Sequence, residues 1–157
     1  MSIESTIEIA APRQAVWTVL SDVERWPEWT PTMTSVEILD GLPLAVGSHV
    51  RIRQPRLPVV VWTVTTLETQ RYFEWENAAL GVKAVAGHRI EAVNPIHTRV
   101  TLTFAWTGWL APLVRLLYGK LGRRYVQTEA ESLKRRCEQP AREPPSAAAS
   151  TRVRAST

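Results

Sequence analysis

Polar and apolar residues alternate at the start of the chain. Residues 2–10 alternate through isoleucines, which predicts a half-buried strand because successive strand side chains point to opposite faces. An apolar stripe over 12–22 then predicts a short helix, since proline is tolerated in a first helical turn. The next stretch holds Trp26, Trp29 and two prolines. It predicts a short helix or turn whose aromatic rings cover one end of the domain.

Strands dominate the middle of the chain. Short apolar runs are joined by connections that carry glycine, proline and asparagine, which is typical of an antiparallel meander. The six predicted strands are 35–40, 49–54, 59–68, 71–77, 82–93 and 97–107. Residues 59–61 are all apolar, so alternation leaves the phase of the third of these strands open.

The last long apolar run, 110–137, predicts one long helix. One of its faces consists of Pro112, Leu116, Gly119, Gly122, Val126, Ala130, Leu133 and Cys137. Glycine in a helix interior costs about 1 kcal/mol relative to alanine, so Gly119 and Gly122 require a reason. Either another backbone comes close to them, or the helix lines a space that stays open.

A second apolar stripe lies on the other side of this helix. It consists of Leu110, Leu113, Val114, Leu117 and Leu121. A helix that is apolar nearly all round is buried on both sides or contacts a partner. The alternatives are plain core packing, which is favoured, a homodimer through this outer stripe, and contact with a membrane surface.

The order of elements predicts the fold class. One strand, two helical pieces, six strands and a long helix make an α+β domain in which a seven-stranded, curved antiparallel sheet must cover its apolar face with the helix. This helix-gripping domain spans 1–138. Residues 139–157 are rich in proline, alanine and serine without an apolar period, so we expect a disordered tail.

Composition and charge narrow the function classes. Of the net charge of +4, the segment 139–157 contributes +2, from three arginines and one glutamate, so the domain is nearly balanced and nucleic-acid binding is not expected. The single Cys137 excludes an internal disulfide and reads as a buried, inert thiol. We find no signal peptide and no apolar run long enough to cross a membrane, and we expect a cytoplasmic protein. Neither a metal-ligand cluster, a phosphate-binding glycine loop nor a nucleophile elbow is present in the sequence, so no metal and no cofactor are expected.

Several motifs carry a family resemblance. They are W-x-V-L-S-D-V-E-R-W-P-E-W-x-P over 17–31, Pro43-Leu44 with Gly47, Trp62-Thr63-Val64, Gly87-His88 and Thr98-Arg99-Val100-Thr101. The chain thereby resembles the polyketide cyclase/dehydrase and START-related lipid-transfer superfamily, often called SRPBCC, over about 3–138. The resemblance implies a helix-grip fold around a deep apolar cavity. It does not select an activity, because such proteins include cyclases, aromatases, hydrolases, lipid carriers and hormone receptors.

Alternation gives the residues that face this cavity. The more apolar set points inward and includes Ala86 and Phe104, with few polar groups among it, as is usual for a small-molecule pocket. With the resemblance, an open cavity becomes the better account of the two helix glycines. The residues expected to bind a ligand are Trp26, Trp29, Ile52, Gln54, Trp62, Phe73, Trp75, Asn77, His88, Ile90, Leu102, Trp106, Gly119 and Gly122.

His88 is the candidate catalytic residue, because imidazole titrates near neutrality and can act as acid or base on a bound carbonyl compound. The alternative is a histidine satisfied by a neighbouring hydroxyl or backbone group. Trp26 and Trp29 either cap the core or form a portal for an apolar ligand. Arg56, on a loop between prolines, is placed to reach a ligand carboxylate at the mouth of the cavity.

The sequence therefore leaves two main functions. In the first, a carrier or sequestering protein holds a small apolar or aromatic molecule, such as a polyketide, lipid or isoprenoid. In the second, a cyclase/dehydrase-type enzyme folds a poly-carbonyl chain in the cavity and His88 shuttles protons. Holding the reactants in place lowers the barrier of such reactions by about 7–11 kcal/mol, so few catalytic groups are needed. An interaction module that dimerises through the outer stripe is the third alternative.

Overall fold

The computed structural model describes residues 2–139 and confirms the predicted fold class. In chain order the elements are β1 (Ile3–Ile9), α1 (Arg13–Ser21), a 3₁₀ helix (Val23–Glu28), β2 (Ser35–Ile38), β3 (His49–Arg53), β4 (Val60–Glu68), β5 (Tyr72–Ala79), β6 (Val82–Asn94), β7 (His97–Thr107) and α2 (Ala111–Glu138). The boundaries predicted from the sequence agree within two residues. Apart from Gln139, the segment predicted as a disordered tail lies outside the described residues.

The seven strands form one antiparallel sheet in the order β1-β7-β6-β5-β4-β3-β2. Because each of β2 to β7 pairs with its neighbour in sequence, the meander is confirmed, and the first strand closes the far edge beside the last one. The pairing register aligns Phe73 with His88 and His88 with Leu102. These three side chains therefore form one row across the inner face of the sheet.

Strand β4 contains a bulge, and its burial pattern shows which of its side chains point inward. Alternation in the sequence leaves this question open. Pairing with β5 shifts between Val64 and Thr66, so the inward side chains are Trp62, Val64 and then Leu67. Trp62 and Val64 are buried, while Val61 is 38% exposed. The predicted inner face of β4 is therefore correct, and the extra residue in the bulge preserves it beyond Val64.

The cover of the sheet is shared between helices and aromatic rings. The long α2 packs against β1, β7 and α1, while the 3₁₀ helix packs against β2. Over the middle strands the space is filled by large side chains, of which Trp26, Phe73 and Trp75 are almost completely buried. A single covering helix, as the element order predicts, is therefore only part of the cover.

The predicted inner face of α2 is correct in its second half and wrong at its start. Ala130 and Leu133 are buried, whereas Leu116 is 81% exposed. The favoured interpretation of the outer stripe, plain core packing, is also wrong for its first turns, since Leu113 and Leu117 are 51% and 65% exposed. The first turns of α2 are therefore not covered by the rest of the domain.

The two glycines of α2 differ in their surroundings. A Cβ atom on Gly122 would lie 2.8 Å from Cη2 of Trp106, so this glycine lets the indole pack against the helix backbone. A Cβ atom on Gly119 would meet only Cγ of Arg115, at an ordinary 3.5 Å. Neither glycine lines the cavity described below. The expectation that they keep a cavity wall low is wrong at Gly122, because an aromatic ring fills the space.

This difference predicts opposite effects of one substitution. Gly119→Ala should raise the free energy of unfolding by up to about 1 kcal/mol, since alanine is the better helix former. Gly122→Ala should lose that gain, because moving the packed ring of Trp106 costs about 1–3 kcal/mol. Urea unfolding of the two variants, followed by circular dichroism, measures both values. Equal stabilisation by the two substitutions would contradict the close contact at Gly122.

Two further features concern membrane-spanning helices and the single cysteine. Within residues 2–139 no helix is long and apolar enough to cross a membrane. Burial raises the pKa of the Cys137 thiol to about 12. The side chain is half-buried, and because the thiolate is the reactive form, a raised pKa favours the inert thiol that the sequence predicts.

Candidate functional site

His88 lies at the centre of the inner face and is 3% exposed. Strand β6 places it between Phe73 and Leu102 in the register of the sheet. The imidazole stacks on the ring of Phe73, with ring centroids 4.0 Å apart and an angle of 12° between the planes. The alternation along β6 thus predicts correctly that this histidine points inward.

Two tryptophans complete an aromatic enclosure around the imidazole. The rings of Trp26 and Trp75 each lie 5.5 Å from it, edge to face. Trp26 is fixed in turn, because its indole N–H donates to the carbonyl oxygen of Leu20 at 3.0 Å. The portion of the 3₁₀ helix that carries Trp26 therefore acts as one wall of the site.

A carboxylate from α2 reaches the same histidine. Oε1 of Glu129 lies 3.6 Å from Nε2 of His88, and the two side chains are 12% and 4% exposed. This distance exceeds a hydrogen bond, so the groups face one another without a direct bond.

Sequence reasoning missed Glu129. A signal was present, since position 129 falls three residues after Val126 and four before Leu133, on the inner face of α2. A carboxylate on an apolar helix face is unusual, because isolated buried charges are costly. Only apolar and small residues were assigned to that face, so the acid went unnoticed.

The second interpretation of His88, a histidine satisfied by a neighbouring hydroxyl or backbone group, disagrees with its hydrogen bonding. Among residues 2–139 its buried Nδ1 atom has no hydrogen-bond partner. Leaving a buried polar group unpaired costs about 1–3 kcal/mol. The predicted alternative, a histidine satisfied in this way, is therefore not what residues 2–139 show at Nδ1.

The cavity beside His88 and Glu129 is small. Its volume is about 50 Å³, whereas ligand pockets commonly measure about 300–1,000 Å³. Since about 10–15 Å³ of such space is needed to hold one water molecule, this cavity accommodates only a few water-sized groups. The expectation of a deep cavity is therefore wrong for this conformation, because indole and phenyl rings occupy the interior. The lining residues are Trp26, Met33, Ile52, Gln54, Trp62, Trp75, Ala86, His88, Leu102, Thr103, Phe104, Val126 and Glu129.

Half of the predicted ligand contacts line this cavity. They are Trp26, Ile52, Gln54, Trp62, Trp75, His88 and Leu102. Three others make contacts elsewhere. Phe73 stacks on the imidazole of His88, and the ring centroid of Trp29 lies 5.6 Å from that of Trp26. The Asn77 amide donates to the carbonyl oxygen of Val61. Ile90, Trp106, Gly119 and Gly122 also lie away from the cavity, in contacts of the core or the helix. Four lining residues belong neither to the predicted ligand contacts nor to the predicted inner face of the strands. They are Met33, Thr103, Val126 and Glu129.

An outer groove adjoins the cavity. Its volume is about 210 Å³, and it is lined by Pro31, Thr32, Pro55, Arg56, Leu121, Arg124, Tyr125 and Thr128. Four of these residues are the direct sequence neighbours of residues that line the inner cavity, so the same segments border both spaces. The Tyr125 hydroxyl donates to the carbonyl oxygen of Pro55 and joins α2 to the loop after β3. Arg56, which the sequence places at the mouth of the cavity, lines this outer groove.

Within the described part of the chain no group of three or more histidine, cysteine, aspartate or glutamate side chains is arranged to hold an ion. The imidazole of His88 is a group that can transfer protons and make polar contacts within the aromatic enclosure.

A family model described as "Polyketide cyclase / dehydrase and lipid transport" matches residues 1–138. No curated protein sequence matches the chain.

Solved structures with the same fold are numerous. The Zhui aromatase/cyclase from Streptomyces sp. R1128 superposes with a TM-score of 0.72 at 20% identity, over 88% of this chain and 93% of that one. A START superfamily protein from Mycobacterium smegmatis has a TM-score of 0.66 at 22% identity, over 87% and 97%. A hypothetical protein from Helicobacter pylori reaches 0.74 at 13% identity, over 87% and 88%. At these identities the likeness establishes the fold alone.

Proposed function

Because the chain belongs to the polyketide cyclase/dehydrase and lipid transport family, we propose that it binds a small apolar or aromatic molecule beside His88, between the sheet and α2. The observation that carries this proposal is the aromatic enclosure into which Gln54, His88 and Glu129 bring polar groups. Apolar walls with a few convergent polar groups are the usual composition of a small-molecule site. The rings supply affinity by burial, at about 25 cal/mol per Å², and the polar groups orient the ligand.

The volumes limit how the ligand is held. A molecule of ten or more non-hydrogen atoms exceeds the inner cavity of about 50 Å³, so it must also occupy the outer groove. We infer that the seam between α2 and the loop after β3 opens, with release of the bond between Tyr125 and Pro55. A ligand lying across this seam places its apolar end against Trp26 and Trp75. An acidic or polar end would then meet Arg56 and Arg124 in the groove.

A second function, cyclisation or dehydration of a carbonyl compound, is favoured by the pairing of His88 with Glu129. A carrier needs no ionisable pair in its interior, whereas acid–base chemistry needs groups placed in this way. In a dehydration, neutral His88 takes the proton from the carbon beside a carbonyl group. The C–O bond at the next carbon breaks, and the hydroxide leaves as water with the proton that the imidazolium returns. Glu129, 3.6 Å away, stabilises the imidazolium between the two transfers.

Mass spectrometry of compounds extracted from the purified protein tests the proposal. We expect an apolar or aromatic compound to co-purify and to rebind after removal. If nothing apolar is recovered and no aromatic compound binds, the aromatic enclosure is a solid core and the proposal fails.

His88→Gln separates the two functions. For an enzyme we expect a β-hydroxyacyl thioester to be dehydrated by the native protein, with kcat at least about a hundredfold lower in the variant, while affinity for the co-purified compound changes little. For a carrier, neither protein turns the thioester over. His49→Gln is the matched control, because this histidine is half exposed and pairs with Asp40 far from the cavity. Equal loss of turnover in the two variants would contradict the role given to His88.

A further inference from the structure

A group of large apolar side chains protrudes at one end of the molecule. Leu80 is 90% exposed, Trp109 78%, Leu113 51%, Leu116 81% and Leu117 65%. These five residues are called the apolar tip below. Single exposed leucines are ordinary, but a contiguous exposed group marks an interaction surface.

The fold brings the apolar tip together from three segments. A Cβ atom on Gly81 would lie 2.1 Å from the Nε1 atom of Trp109, so the indole rests directly on the turn between β5 and β6. A Cβ atom on Gly108 would lie 2.2 Å from the carbonyl oxygen of Gly81. Gly81 and Gly108 both have positive φ values, of 79° and 103°, which L side chains rarely adopt. The two loops are thus fitted together, and Leu80 extends from the same turn.

The first turns of α2 continue this surface and then become basic. Leu113, Leu116 and Leu117 have the spacing of one helical face, and one turn later the same side carries Lys120, Arg123 and Arg124. No acidic residue occurs between positions 111 and 128. Within residues 2–139 none of these three cations forms an ion pair. At about 1.5 Å per residue, Lys120 stands about 6 Å behind Leu116 along the helix axis.

We propose that the apolar tip docks on an anionic lipid bilayer, with its side chains in the headgroup and acyl boundary and the cations on the lipid phosphates. Apolar side chains of interfacial helices enter this boundary by about 5–10 Å, and the axial offset of about 6 Å between Leu116 and Lys120 lies in this range. Tryptophan prefers this interface because its ring is apolar and its N–H is polar. The proposal does not depend on what the cavity binds.

Charge argues for a bilayer over a second copy of the chain. In a two-fold dimer the same patch faces itself, so Lys120, Arg123 and Arg124 would approach their own copies without acids between them. Glu76, at the same end of β5, is already paired with Lys83 at 2.5 Å. Anionic lipid supplies the missing negative charge, and a fluid surface accepts side chains that protrude from two loops and a helix.

Co-sedimentation with vesicles tests the proposal. We expect the intact protein to sediment with vesicles of phosphatidylcholine and phosphatidylserine, and much less with phosphatidylcholine alone or in high salt. Leu116→Glu and the uncharged Leu116→Ser should each weaken binding, the first by at least about tenfold. Lys120→Gln with Arg123→Gln should weaken binding to the anionic vesicles only. Ile96→Glu is the matched control, since this residue is 63% exposed on the turn at the opposite end of β6, and it should bind as the native protein does.

Three results would overturn the proposal. One is a native protein that stays in solution with the phosphatidylserine vesicles. Another is equal binding by the Leu116 and Ile96 variants. The third is size-exclusion chromatography showing a dimer that Leu116→Glu converts to a monomer without any vesicle binding, because the occupant of the surface is then a second copy of the chain. Circular dichroism of each variant shows that it is folded, as expected for substitutions at exposed positions.

Discussion

Trp26→Ala should lower the free energy of unfolding by about 3–5 kcal/mol, the usual cost of removing a fully buried tryptophan. Trp26 is completely buried and packs against four aromatic rings, those of Trp29, Phe73, Trp75 and His88. It also donates the hydrogen bond to Leu20 that ties the 3₁₀ helix to the end of α1. Since domains of this size are stable by only about 5–15 kcal/mol, the variant should be close to unfolding at room temperature.

Urea unfolding followed by circular dichroism measures this loss, with Trp109→Ala as the matched control. The same atoms are removed in both variants, but Trp109 is 78% exposed, so its loss should cost less than about 1 kcal/mol. A Trp26 variant as stable as the Trp109 variant would show that the ring is not the centre of the core. A folded but weakened Trp26 variant that also loses its co-purifying compound would support its place in the ligand site.

The strands were predictable because their information is local. Alternation along β6 places His88 inward whatever lies opposite it, and short turns between apolar runs permit little besides an antiparallel meander. In β4, strict alternation no longer gives the inward side chains after Val64. The bulge adds one residue there, so that Leu67 and not Thr66 points inward. The order of the strands and their boundaries therefore follow closely from the sequence.

Features that depend on three-dimensional packing were not predictable in the same way. The predicted inner face of α2 is correct at Leu133 and wrong at Leu116. Periodicity gives the angle of a side chain around the helix, but it does not give the point along the helix at which the rest of the domain ends. Gly122 has the same sequence signal as Gly119, yet Trp106 fills the space beside one of them. The size of the cavity likewise depends on how large rings from four segments fit together.

The candidate site was half predictable for a related reason. His88 was found by residue type and strand phase, which both belong to its own segment. Its partner Glu129 lies 41 positions further along the chain, and only the placement of α2 over the sheet brings them to 3.6 Å. The resemblance to the family supplied the fold without this pairing, since residues of a site vary on a shared fold.

A double-mutant cycle on His88 and Glu129 should show strong coupling between them. Either single replacement by leucine leaves one polar group buried against aromatic rings, and breaking a buried pair in this way costs about 3–5 kcal/mol. Replacing both residues leaves no buried polar group without a partner. The free energy of unfolding of the double variant should therefore lie within about 1 kcal/mol of the native value, or exceed it. The two side chains do not hydrogen-bond directly, and Nδ1 of His88 has no partner among residues 2–139. The pair therefore contributes little to stability in its present geometry.

The same cycle on His49 and Asp40 is the control. That pair is also a histidine and a carboxylate, 3.1 Å apart, but each side chain is about half exposed, so we expect no measurable coupling. A His88→Leu/Glu129→Leu variant that is stable and no longer binds the co-purified compound would show a pair kept for ligand contact or chemistry at the expense of stability. If the losses of the two single variants simply add, each residue supports the fold independently. Acid–base catalysis by this pair would then lose its structural basis, and the carrier function would be the better account of the site.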